Sequence, residues 1–391
     1  MISGHDPGDT AGPYSSANPM SALKAISEHG QSVWLDYIRR DLLLSGGLKK
    51  LIDEDGLLGL TSNPAIFEKA IGGSADYDPA LRALVDGGQR DPAALYEQLA
   101  IEDIRQAADI FLPVWQATGG VDGYVSLEVA PGLACDTAGT LADARRLWAA
   151  VRRPNLMIKV PGTAEGAVAV RELIAEGINV NVTLLFSRPA YLAVAEAYLA
   201  GLEARLAAGG RIDGIASVAS FFISRIDAAM DAEIAARGGE ALALAGKVAI
   251  ANARLAYEDY RGLCAGPRWQ KLAAAGARPQ RLLWASTGTK NPAYRDVLYV
   301  EELIGPETVD TIPPATMDAF RDHGQPRRSL DRGTADAREV IAAVERLGLP
   351  LDAVTTRLVG EGIKLFVDAH DQLLAAVARK RDALAPQAMP A

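Results

Sequence analysis

The chain of 391 residues is 49% hydrophobic and 23% charged, with 37 glycines and 21 prolines, and this suits a soluble α/β protein whose core needs no disulfide or metal staple. A net charge of −9 with no basic stripe argues against nucleic acid as a partner, and no window reaches the roughly 20 apolar residues of a membrane span. Cys135 and Cys264 stand in no metal-ligand spacing and read as free thiols of a reducing cytoplasm; His5, His29, His323 and His370 fall away from strand ends, against a zinc site or a Ser-His-Asp triad.

Residues 1–20 are rich in Gly, Ser, Pro and Asp, lack the basic flank and apolar run of a signal peptide, and read as a flexible tail. Residues 21–391 then read as one domain. Ser32–Asp36 is the first expected strand, followed by a helix over Tyr37–Asp53, and Gly59–Asn63 is the second, ended by Pro64. Asp91 and Pro92 cap a long helical region that stops at Gly119-Gly120. Gly123–Val129, Leu156–Val160, Asn179–Leu185 and Ile215–Phe221 are the third to sixth strands, and a helix carrying Arg225 follows the last of these. A helical region over Gly246–Ala275 precedes Arg281–Ser286, Asn291-Pro292 is expected to cap another helix, and Val309–Pro313 is the eighth strand. From Leu330 onward the pattern is helical, broken by Gly348 and Pro350. Eight strands alternating with helices point to a parallel sheet closed as a (β/α)8 barrel with extra helices.

Asn155-Leu-Met-Ile-Lys-Val-Pro-Gly-Thr163 carries the strongest chemical signal. Period-2 alternation puts Leu156, Ile158 and Val160 on one face and Met157 and Lys159 on the other, and Pro161-Gly162 places Lys159 near the carboxyl end of its strand. That end of a barrel is where catalytic groups gather. A lysine among apolar neighbours loses hydration of its ammonium, so its amine becomes a nucleophile toward carbonyls; the plain alternative is a lysine that snorkels to solvent. Taking the Lys159 face as inward, the barrel interior would hold Trp34, Asp36, Thr61, Asn63, Ser126, Glu128, Met157, Asn179, Asn181, Thr183, Val218, Ser220, Trp284 and Ser286. So many polar groups in a barrel core serve either chemistry or one another as a hydrogen-bonded plug.

Three stretches resemble the transaldolases: Gly59-Leu-Thr-Ser-Asn-Pro-Ala-Ile-Phe67, Leu156-Met-Ile-Lys-Val-Pro-Gly-Thr163 and Gly177-Ile-Asn-Val-Asn-Val-Thr-Leu-Leu-Phe-Ser187. The resemblance implies a barrel of the class I aldolase type that moves a dihydroxyacetone unit between sugar phosphates, without a cofactor, in the non-oxidative pentose phosphate branch. It makes Lys159 the Schiff-base lysine, Asp36 the acid/base at the C4 hydroxyl, and Glu128 the handler of the water at the imine carbon, with Thr183 orienting that water. It assigns Asn63, Ser126, Asn181 and Ser220 to the dihydroxyacetone hydroxyls and Arg225 to phosphate. Many relatives read Ala-Ser-x-Arg-Asn after the seventh strand, whereas this chain has the longer Ala285-Ser-Thr-Gly-Thr-Lys-Asn291, which aligns Ser286 and offers Lys290 as a second phosphate cation ahead of the helix expected at Asn291.

Three other readings compete. A fructose-6-phosphate aldolase of the same superfamily would release free dihydroxyacetone, but Glu128 and the chain length favour transfer. A metal-dependent barrel lacks a ligand cluster in the sequence, and a binding module on a dead barrel would be expected to lose Lys159 or a carboxylate, all of which are present.

Overall fold

The computed structural model describes residues 21–384; the tail expected over residues 1–20, and residues 385–391, lie outside the described residues. Eight strands run in chain order around a closed barrel: β1 (Gln31–Asp36), β2 (Gly59–Thr61), β3 (Tyr124–Glu128), β4 (Leu156–Pro161), β5 (Val180–Leu185), β6 (Ser217–Phe222), β7 (Arg281–Ala285) and β8 (Thr308–Ile312). Every neighbouring pair is parallel, and β8 closes onto β1 with Trp34 opposite Thr311. This is the (β/α)8 architecture that the alternation of elements implies. Among the described residues no helix is long and apolar enough to cross a membrane.

Local chemistry explains where several helices begin. Asp91, Thr163 and Ser187 each accept a backbone N–H of the following turn through a side-chain oxygen, and they open the helices Pro92–Ala117, Ala164–Glu176 and Arg188–Ala207. Leu156, Ile158 and Val160 are fully buried against the helical layer, as parallel strands covered on both faces require. A polar plug crosses the amino-terminal end of the barrel. Arg281 donates to Asp122 Oδ1 (2.9 Å) and Ser32 Oγ (2.8 Å), and Trp34 Nε1 donates to the same aspartate (3.2 Å).

Four details differ from the sequence reading. The helix expected over Tyr37–Asp53 is two, Arg40–Leu44 and Gly47–Asp55, because Gly46 takes a left-handed conformation (φ +80°) between them. No helix starts at Asn291; its carboxamide and carbonyl oxygens accept from Ala293 and Tyr294 to form turns, and the next helix is the short Leu298–Glu302. β7 is turned by one residue, because the plug pulls Arg281 inward. Leu283 and Ala285 therefore share the interior, while Trp284 faces outward, donating to the Leu303 carbonyl (3.0 Å) and packing edge-on to Phe221. Finally, β5 shifts register between Val182 and Leu185, where Leu184 adopts a left-handed conformation (φ +59°).

The same register puts Asp310 of β8 beside Trp284, facing the helical layer and fully buried. Its Oδ1 accepts from Thr287 (2.9 Å) and its Oδ2 has no partner among the described residues, and burial pushes the carboxyl up to about 8. The folded protein thus keeps a proton that the unfolded chain releases around its ordinary value of 3.8, so this group costs stability progressively as pH rises from there to about 8. Asp310→Asn should raise Tm at neutral pH, and the gain should vanish at pH values below the ordinary carboxyl range. Thermal melts at both ends of that window check this; a gain independent of pH would contradict it.

Candidate active site

Strand register brings the predicted residues together at the carboxyl mouth. Glu128 of β3 lies beside Lys159 of β4, and Lys159 lies beside Asn181 of β5. Lys159, only 5% exposed, donates to the Ser62 carbonyl (3.2 Å) and sits 3.7 Å from Glu128 Oε2, too long for a hydrogen bond but close enough for strong charge attraction. The lysine is therefore not in a purely apolar setting. Across the neighbouring strands runs a row of side-chain hydrogen bonds. Ser220 Oγ donates to Asn181 Oδ1 (2.7 Å), and Asn181 Nδ2 donates to Ser126 Oγ (3.0 Å). Both Glu128 carboxylate oxygens and Thr183 Oγ1 are buried and have no hydrogen-bond partner among the described residues. Unmatched acceptors and a hydroxyl around one amine are costly in a finished core, but they suit a place that receives a water or a substrate.

Two carboxyls flank the amine in different surroundings. Burial pushes Glu128 up to about 7, with the Lys159 charge working against it. Asp36, at the end of β1, accepts from Thr61 Oγ1 (2.8 Å), and Thr61 in turn shares a 2.7 Å contact with Thr311. Burial raises the Asp36 carboxyl above its usual range, while Lys159, the Thr61 hydrogen bond, Lys290 and Arg225 pull it back. Two carboxyls tuned by different neighbours can divide proton transfers between them.

The charges of Arg225 and Lys290 both pull the Asp36 carboxyl down against the effect of its burial. Arg225, in the first turn of the helix Ser224–Arg237, holds no hydrogen bond or ion pair among the described residues; its guanidinium lies 5.4 Å from the Phe222 ring centroid. Burial lowers its pKa, as expected for a cation without a fixed counter-charge. Lys290 stands exposed in the loop after β7. Ser286, predicted to face the interior, instead takes a left-handed conformation (φ +57°) and meets Ser224 Oγ at 2.9 Å, tying that loop to the Arg225 helix. Asn63 caps the helix Pro64–Gly72 by accepting from Ile66 N (3.0 Å), and it lines a cavity of about 240 Å³ that also touches Glu128, Tyr96 and His370.

The roof of the site escapes sequence reading. The helix Leu351–Leu384 crosses the mouth, placing the Phe366 ring centroid 5.8 Å from Lys159 Nζ. Gly362 permits the crossing: a Cβ there would sit 2.8 Å from Leu184 Cδ2, next to Arg225. The one available signal is the pair Gly360 and Gly362 inside a long helical pattern, where glycine weakens a helix unless close approach demands it. The Ser62 contact leaves no trace in sequence, because it uses a backbone carbonyl. Among the described residues no group of three or more His, Cys, Asp and Glu is arranged to hold a metal ion.

A buried lysine between two carboxyls at the carboxyl mouth of a (β/α)8 barrel defines a barrel enzyme. The sequence model of the transaldolase/fructose-6-phosphate aldolase family matches residues 33–377. The transaldolase of Thiobacillus denitrificans is 51% identical over 359 residues, covering 92% of this chain and all of that protein. Transaldolase 2 of a Nostoc species is 48% identical over 93% of this chain and 98% of its own length, and transaldolase 1 of Streptomyces coelicolor is 49% identical over 92% and 95%. The chain belongs to the transaldolase/fructose-6-phosphate aldolase family. Within it, the chain is an enzyme of the transaldolase type, a transferase.

The opposed influences on Glu128 make a direct test. Removing the neighbouring charge by Lys159→Met should move the Glu128 titration midpoint upward from about 7 by roughly one unit or more, followed by carbon-13 NMR of the labelled carboxyl. An unmoved or lowered midpoint would show that the lysine charge does not reach it.

Proposed function

We propose that the enzyme transfers a dihydroxyacetone unit between sedoheptulose 7-phosphate/glyceraldehyde 3-phosphate and erythrose 4-phosphate/fructose 6-phosphate through a Schiff base on Lys159, in the non-oxidative pentose phosphate pathway. The observation that carries this reading is the Lys159 amine held 3.7 Å from a carboxyl that burial lifts to about 7, with the unpartnered Thr183 hydroxyl on the next strand. Lys159, freed as the neutral amine by passing its proton to Glu128, adds to the C2 carbonyl of the ketose phosphate. The C2 oxygen takes one proton from the amine nitrogen and one from Glu128 and leaves as water, so that an iminium faces the Glu128 carboxylate. Thr183 orients that water. With its pKa near neutrality, Glu128 can give the proton on this step and take it back when the imine is hydrolysed.

Asp36 takes the proton of the C4 hydroxyl as the C3–C4 bond breaks, so the aldose departs and the three-carbon unit stays as an enamine on Lys159. Covalent catalysis here replaces an unstable carbanion by that enamine. Asn63, Ser126, Asn181 and Ser220 contact the hydroxyls of the three-carbon unit. Arg225 and Lys290 take the phosphate, with Ser286 at the base of the loop between them. The free thiols Cys135 and Cys264 suit a reducing cytoplasm.

Transfer and simple cleavage are told apart by the acceptor. With fructose 6-phosphate alone, one equivalent of glyceraldehyde 3-phosphate should appear and turnover should then slow, because the enamine waits for an aldehyde. Erythrose 4-phosphate should accelerate turnover by orders of magnitude and yield sedoheptulose 7-phosphate. Steady release of free dihydroxyacetone at one rate with and without acceptor would make the enzyme a fructose-6-phosphate aldolase instead.

A further inference from the structure

Arg225 and Lys290 come from different elements, and three side-chain ties hold those elements together. The first joins Ser224 and Ser286, whose hydroxyl oxygens lie 2.9 Å apart while Ser224 N donates to the Ser286 carbonyl (3.0 Å). In the second, Tyr299 Oη donates to Asp227 Oδ2 (3.0 Å), and Asp227 Oδ1 accepts from Ala249 N (2.7 Å). The third lies on the other side of Lys290, four residues after it as Ser286 is four before: Tyr294 Oη donates to Asp231 Oδ2 (2.7 Å), and Asp231 Oδ1 accepts from Gly246 N (3.0 Å). The Tyr294 ring lies flush on Gly246, where a Cβ would meet it at 2.8 Å.

Between these ties the loop is folded tightly. Thr289 Oγ1 donates to the Arg295 carbonyl (2.9 Å), and Tyr294 N donates to the Asn291 carbonyl (3.1 Å). Lys290 therefore projects from a turn clamped at Ser286 and at Tyr294, and both clamps are on the helix that carries Arg225. Asp227 and Asp231 lie two and six residues beyond Arg225 on that helix, and each spends a carboxylate oxygen on a tyrosine of the Lys290 segment. Burying an aspartate such as Asp227 costs free energy that a loop of no particular position would not need to meet.

We propose that Tyr294 and Asp231 are a positioning pair that fixes Lys290 at the spacing from Arg225 that a phosphoryl group bridges, so that preference for phosphorylated over neutral sugars depends on this hydrogen bond. The proposal rests on the reading of Arg225 and Lys290 as phosphate ligands. A cation on a long flexible side chain gives specificity only when its backbone is held. Without the tie, ordering the loop is charged against every phosphate bound.

The test compares kcat/KM for fructose 6-phosphate with kcat/KM for unphosphorylated fructose, both with erythrose 4-phosphate as acceptor. Tyr294→Phe keeps the ring and removes only the hydroxyl. The phosphorylated-to-neutral ratio should fall about tenfold, through KM for fructose 6-phosphate, as loss of a charge-assisted contact would predict. Asp231→Asn keeps an acceptor and should lose less. Tyr294→Phe combined with Lys290→Ala should lower the ratio no further than Lys290→Ala alone, because both changes remove one interaction. Equal losses with both sugars, or losses that multiply in the double variant, would make the tie a structural brace and overturn the proposal. If Arg225→Ala also leaves the ratio unchanged, the phosphate reading itself has failed, and the positioning role falls with it.

Discussion

Everything at the mouth of this barrel follows from burying three ionisable groups, Lys159, Glu128 and Asp36, inside a closed parallel sheet. Taking each charge out of water costs several kcal/mol even after relaxation. The fold recovers part of that through proximity, since opposite charges about 4 Å apart attract by roughly 4 kcal/mol at an effective dielectric near 20. It leaves the rest unrecovered, as the raised Glu128 and Asp36 carboxyls record. Such residual strain keeps a carboxyl near neutrality, ready to give or take a proton. A fully satisfied network would be more stable and chemically inert.

Parallel register makes the arrangement reproducible. Side chains paired across neighbouring parallel strands point the same way, so Glu128, Lys159 and Asn181 are set side by side by backbone hydrogen bonds alone. The polar plug at the opposite end, Arg281 with Asp122 and Ser32, fixes the rotation of β7 and so decides which residues reach the interior. A second layer comes from outside the sheet. The C-terminal helix lays Phe366 near the lysine, and the tyrosine–aspartate ties hold the loop of Lys290 against the helix of Arg225. The sheet thus positions the groups around Lys159, while packing between helices and loops positions Phe366, Arg225 and Lys290.

How far this was legible in the sequence follows the same division. Period-2 alternation in β1 to β6 reports the inward face directly, and Asp36, Ser126, Glu128, Lys159, Asn181, Thr183 and Ser220 could be read from it. In β7 the rule fails because Arg281, a residue that normally seeks water, points inward to an aspartate distant in sequence, and Trp284 turns outward. Thr311 takes the interior place near Asp36 and Thr61 that alternation could not assign. The Asn-Pro pair after β7 has the composition of a helix start, yet the Asn291 side chain closes a turn and Tyr294 anchors it from a distance. Contacts made by long-range packing, such as Phe366 with Lys159, have no local pattern to read.

The central claim is that Lys159 is the nucleophile. The most direct measurement is mass spectrometry of the peptides obtained after borohydride reduction of the protein with fructose 6-phosphate. The account predicts a reduced three-carbon adduct on the peptide containing Lys159, and its loss in Lys159→Met. A label on Lys290 or another lysine, or catalysis with no trapped adduct, would contradict it.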